Sequence, residues 1–111
     1  MIEFDVSTDS EGIGIVVPRG RLTMVSAPRL RELLDGLIAQ GTVRIVVDLA
    51  ETSFLDSSGL GALIAGLKSA RQAGGDLRIA RPTEPVSAVL KLTNLDKVLR
   101  PRDSVESAFY V

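Results

Sequence analysis

The sequence predicts an α/β fold: a mixed sheet of four to five strands with about four helices. The first hairpin should be antiparallel and the remaining strands mostly parallel. Three observations carry this. Near the N-terminus, Ile2, Phe4 and Val6 alternate with Glu3, Asp5 and Ser7, the period of a strand with one wet face. Ile45-Val46-Val47 is a run of consecutive β-branched residues, which suits a strand covered on both faces. Between and after these runs lie stretches with the 3.6-residue period of amphipathic helices, and strands alternating with helices imply parallel crossovers.

Taken in order, Ile2 to Ser7 is the first strand, Thr8 to Gly12 a turn, and Ile13 to Val17 a second strand ended by Pro18. A short polar turn between strands makes the pair a hairpin. Gly20-Arg21-Leu22-Thr23 is a loop leading into a helix, with Ser26 as N-cap and Pro28 in the first turn. Leu30, Leu33, Leu34, Leu37 and Ile38 form its apolar face, and Gly41 sits where a C-terminal cap belongs. Val43 to Leu49 is the central strand. After a loop, a second helix runs from about Ser57 to Gln72, with Leu60, Leu63, Ile64, Leu67 and Ala70 on one face. Gly74-Gly75 stops it, and Leu77 to Ala80 is a short strand. Pro82 to Pro85 opens a third helix facing Val86, Val89, Leu90 and Thr93 inward. Lys97-Val98-Leu99 is a candidate edge strand, and Asp103 or Ser104 caps a terminal helical turn through Phe109. No repeat or linker interrupts the 111 residues, so a single domain over 1–111 is expected.

Composition narrows the chemistry. Hydrophobic residues make up 45% and charged residues 24%, which is globular rather than disordered composition. No apolar run approaches the ~18 residues of a membrane span, and the N-terminus carries acids and no basic region, unlike a signal peptide. A cytoplasmic location follows by elimination. There is no Cys and no His, so disulfides, thiol catalysis, a Ser-His-Asp triad and the commonest metal ligands are unavailable. No metal or cofactor is expected. The net charge of −1 gives no general attraction to nucleic acid. The C-terminal basic residues (Arg78, Arg81, Lys91, Lys97, Arg100, Arg102) are interrupted by Glu84, Asp96 and Asp103, without interleaved aromatics.

Two catalytic patterns fail on inspection. Gly61-x4-Gly66 is followed by Leu67 before Lys68, whereas a P-loop needs Lys directly after the second Gly; the segment reads as mid-helix. Asp48, Glu51 and Asp56 are near in sequence, but strand-end and cap roles explain them more simply than acid-base work. Leu90, Leu92, Leu95 and Val98 read as core packing rather than as a partner-binding face.

The informative stretch precedes the second helix. Asp56 is placed to cap it, which puts Ser57 in the first turn, where unpaired N–H groups and the helix dipole favour an anion. A phosphate on Ser57 would be accommodated there. Gly59 and Gly61 are each about 1 kcal/mol poorer than Ala inside a helix, which suggests that something approaches the backbone closely. Ser57 does not read as a nucleophile, because the chain has no His to act as its activating base.

Phe54-Leu55-Asp56-Ser57-Ser58-Gly59-Leu60-Gly61-Ala62-Leu63 closely resembles the signature of bacterial anti-sigma factor antagonists, the STAS domain family. The strand Ile45–Leu49 before it, Gly74-Gly75 after it, and Leu90 to Val98 extend the resemblance over nearly the whole chain. The resemblance implies a non-enzymatic partner switch. The unmodified antagonist binds an anti-sigma factor with serine-kinase activity, phosphorylation of Ser57 releases it, and a serine phosphatase resets it. Arg21, Thr23, Asp56, Ser57, Ser58, Gly59 and Leu60 would form the partner-binding surface. An alternative is a non-switching STAS subunit of a larger complex such as a lipid-transport assembly. One departure stands out: the loop that usually reads Gly-Glu-Leu-Asp is here Gly20-Arg21-Leu22-Thr23. A base and a hydroxyl stand where acids contact the kinase, so a different charge preference in the partner is expected.

Overall fold

The computed structural model describes residues 3–109. Its elements are β1 (Glu3–Thr8), β2 (Gly14–Leu22), α1 (Ala27–Ala39), β3 (Arg44–Asp48), β4 (Thr52–Leu55), α2 (Ser57–Gln72), β5 (Asp76–Ala80), α3 (Glu84–Leu92) and α4 (Asp96–Leu99). The sheet order is β1-β2-β3-β5, with β4 also pairing β2. β1 is antiparallel to β2, and the β2–β3, β2–β4 and β3–β5 pairs are parallel. The expected mixed sheet with four helices is therefore present.

β3 is buried throughout from Ile45 to Asp48, as its β-branched run predicts. Ile45 and Val47 face the main core with Leu30, Leu34, Leu63, Leu67, Leu77 and Ile79. Val46 faces the opposite side of the sheet, where Ile13, Ala80 and Ala108 cover it. The cap expected at Gly41 is made: its φ of +92° suits glycine, and the Thr42 amide donates back to the Leu37 carbonyl at 2.9 Å. Ser26 occupies the cap position of α1, but its hydroxyl turns backward instead. It accepts from the Thr23 amide and donates to the Arg21 carbonyl, both at 3.0 Å, tying the β2–α1 loop together.

Six expectations are corrected. β2 does not stop at Pro18 but runs through it to Leu22. β2 pairs β3 only over Gly14–Val16 and β4 only from Gly20, so Pro18 lies where the ladder changes partner and its missing N–H breaks no bond. The Pro18 carbonyl on that side is met by the Thr52 hydroxyl, which donates at 2.9 Å. Thr52–Leu55, read as loop, is a strand; its four residues are too few to show a period. Lys97–Leu99 is helical, with the Leu99 amide donating to the Leu95 carbonyl and Leu99 fully buried. The free edge of β5 is instead met by Arg102, whose amide donates to the Ile79 carbonyl at 3.0 Å. The last segment forms turns rather than a helix, although Ser104 does accept from the Ser107 amide at 3.2 Å. Thr93 is exposed, its hydroxyl donating to the Val89 carbonyl. At the first strand, Phe4 is half-buried but Val6 is 42% exposed, and Ile2 lies outside the described residues.

Candidate functional site

The end of β2 and the end of β4 lie side by side, Arg21 opposite Phe54 and Leu22 opposite Leu55. This brings the β2–α1 loop against the start of α2. Asp56 fastens the two. Its extended backbone (φ −101°, ψ −175°) precedes the helix, one carboxylate oxygen accepts from the Gly59 amide at 2.9 Å, and the other accepts from the Met24 amide at 3.1 Å. Its own amide donates to the Leu22 carbonyl at 3.2 Å. One carboxylate thus caps α2 and holds a loop that is more than thirty residues away in sequence.

Ser57 is the first residue of α2 and its side chain is exposed; Ser58 is half-buried. An anion on the Ser57 hydroxyl would sit beside the orphan amides of the first turn. The two glycines separate into different roles. A Cβ on Gly59 would lie 2.5 Å from the Leu22 carbonyl oxygen and 2.7 Å from a Leu55 methyl, so this glycine lets α2 close onto β2. A Cβ on Gly61 would meet nothing within 4 Å. Gly61 is exposed one turn beyond Ser57 on the same face, and its missing side chain leaves that face flat. Gly61→Ala is accordingly expected to raise stability by about 0.5–1 kcal/mol, measurable as a higher urea midpoint at unchanged slope. An unchanged or lower midpoint would mean that the fold itself requires this glycine.

Of the seven residues assigned to the surface by resemblance, Arg21 and Ser57 are exposed and Thr23, Asp56 and Ser58 are half-buried. Gly59 and Leu60 are buried, Leu60 at 7% within the main core, so both shape the site from beneath. Thr23 holds the loop through its backbone: its carbonyl accepts from the amides of Ser26 and Ala27. Three residues that sequence reasoning missed belong to this face. Met24 is 71% exposed, Val25 86% and Phe54 37%. Met24 and Val25 are large apolar residues in a loop, outside any helical or strand period, which was the available signal. The Arg21 guanidinium lies over the Phe54 ring, 4.6 Å from its centroid.

The three acids considered for catalysis are held apart by separate partners. Asp48, buried at the end of β3, accepts from the Ala50 amide and from Arg81, whose Nε is 3.2 Å away. The hydrogen bond to Asp48, and then its charge, hold the Arg81 guanidinium above its ordinary pKa. Glu51 pairs with Arg19 at 2.7 Å, and Asp56 serves two amides. The glycines and lysine of the P-loop-like stretch lie within α2. Among the described residues no group of three or more His, Cys, Asp or Glu is gathered to hold a metal. No described helix is long and apolar enough to cross a membrane.

Comparison with known proteins places the fold. The family model of the STAS domain matches residues 6–108. The anti-sigma-B factor antagonist of Staphylococcus epidermidis is 30% identical over 87 residues, covering 78% of this chain and 81% of its own length. An anti-sigma factor antagonist from Mycobacterium paratuberculosis superposes with a TM-score of 0.85 at 27% identity, over 97% of this chain and 91% of its own. Bacillus SpoIIAA, at 19% identity, shares the fold in its unphosphorylated form (TM-score 0.83, 96% of this chain and 92% of its own) and its phosphorylated form (TM-score 0.75, 96% of each). An exposed serine heading a capped helix, a matching chain-length profile and related antagonists lead to one conclusion: this chain belongs to the STAS domain family, as a non-enzymatic regulatory protein.

Proposed function

We propose that the chain is an anti-sigma factor antagonist that works by partner switching. In its unmodified form it binds an anti-sigma factor that is also a serine kinase, which frees the sigma factor. The kinase phosphorylates Ser57 and is released, and a serine phosphatase restores the binding form, all within the cytoplasm. The observation that carries this reading is the exposed Ser57 at the first position of α2, on a face flattened by Gly61 and bordered by exposed Met24 and Val25. Phosphorylation adds about −1.5 to −2 charges. The helix start stabilises that charge locally, so the fold tolerates it, whereas a partner docked over Ser57 would have to desolvate it beside Asp56.

The test is to capture binding proteins with the unmodified chain, then incubate the chain with the captured kinase and ATP. Intact-mass analysis should show one added phosphate that disappears in Ser57→Ala. A phosphate that persists in that variant removes Ser57 from the switch. A stoichiometric companion that never turns over phosphate would instead identify a fixed subunit.

A further inference from the structure

Between β1, the end of β2 and the start of α1 runs a groove of about 770 Å³, lined by Phe4, Arg21, Thr23, Val25, Arg29 and Leu33 among others. Phe4, Val25 and Leu33 give it apolar walls, and its two charged side chains are both arginines. Among the described residues no carboxylate lines it. Three acids near it in the chain are already engaged: Asp5 by Arg19, Glu32 by Arg29 at 3.3 Å, and Asp56 by the amides of Met24 and Gly59. The ion pairs among the described residues involve Arg19, Arg29, Arg71, Arg78 and Arg81, and not Arg21. The Arg21 guanidinium instead lies over the Phe54 ring, and among the described residues its side chain makes no hydrogen bond or ion pair.

We infer that this groove selects its partner by charge, taking a protein segment that presents an apolar side chain flanked by a carboxylate, with the carboxylate on Arg21. The inference rests on the reading that this face docks a protein, and not on that protein's being a kinase. The contact with Phe54 restrains the guanidinium before the partner arrives, which lowers the side-chain entropy lost when a carboxylate takes its N–H groups. Val25 and Met24, already exposed beside it, supply the apolar contact. A partner with a basic group at the same place would leave two like charges opposed across a closing interface, which is strongly unfavourable. Arg21 is thus a specificity-determining residue.

The test replaces Val25, 86% exposed, with the photo-crosslinker p-benzoylphenylalanine and maps the partner peptide that it captures in cells. The expected peptide carries Asp or Glu within about one helical turn of the crosslinked atom. In the same chain, Arg21→Glu should lower the crosslink yield by about tenfold or more, and replacing the partner's acid with Lys should restore it. Yield should also fall with added salt. A neutral or basic captured segment, an unchanged yield with Arg21→Glu, or no crosslink at all would overturn the inference. A captured protein without a kinase fold, but with the acid and the charge-swap rescue, would keep the inference and remove the kinase step from the proposed function.

Discussion

Gly59→Ala is expected to destabilise the chain by about 2 kcal/mol, the middle of the range for overpacking a close contact. Alanine normally improves a helix interior by about 1 kcal/mol over glycine, so the sign here depends on the surroundings. The new methyl would meet the Leu22 carbonyl oxygen at 2.5 Å. That oxygen accepts from the Asp56 amide, so relief requires moving the end of β2 or lifting the first turn of α2. Either movement loosens the bonds from Asp56 to Gly59 and Met24 as well. For a domain of this size the loss corresponds to a melting temperature lower by roughly 10 °C. Gly61→Ala, two residues away, is the internal control with the opposite sign. A Gly59→Ala variant that melts with the parent would show that α2 does not close on β2 in this way.

Ser57→Asp is expected to weaken binding to the captured partner by roughly 30-fold, about 2 kcal/mol, while Ser57→Ala stays within about twofold of the parent. The aspartate places an uncompensated charge next to Asp56 on the docking face. It is not expected to harm folding, since an acid in the first turn of a helix is favoured by the dipole. Titration calorimetry with both variants, beside their melting curves, separates the two effects. Equal affinities for the two variants would sink the electrostatic switch, and a coincident fall in stability would assign the loss to folding instead.

Much of this architecture is readable from residue order. Ile45-Val46-Val47 announces a two-sided strand because consecutive β-branched residues have no other economical place. α2 is bounded at Ser57 and Gln72 by an acid that caps and by glycines that stop. Errors fell where neighbours in space override local chemistry. Pro18 ends most strands, yet here the partner change between β3 and β4 spares its missing N–H. Val98 and Leu99 favour a strand locally, but the β5 edge was already filled by Arg102. Of the apolar set thought to be core, Leu90 is fully buried whereas Leu92 is 85% exposed.

The candidate site divides in the same way. That Ser57 heads a helix with Asp56 as its cap is legible in residue order, because capping is a contact between residues three apart and needs no tertiary partner. So is the lack of any chemistry by His or Cys. Packing between distant segments makes Gly59 a packing residue and Gly61 a surface one, since the difference is the carbonyl of Leu22 arriving from another strand. The same packing sets Arg21 over Phe54 and leaves Met24 and Val25 exposed in the loop that Asp56 ties to α2. Those relations join residues about thirty apart through the parallel pairing of β2 with β4, and no local period encodes which strand ends will meet.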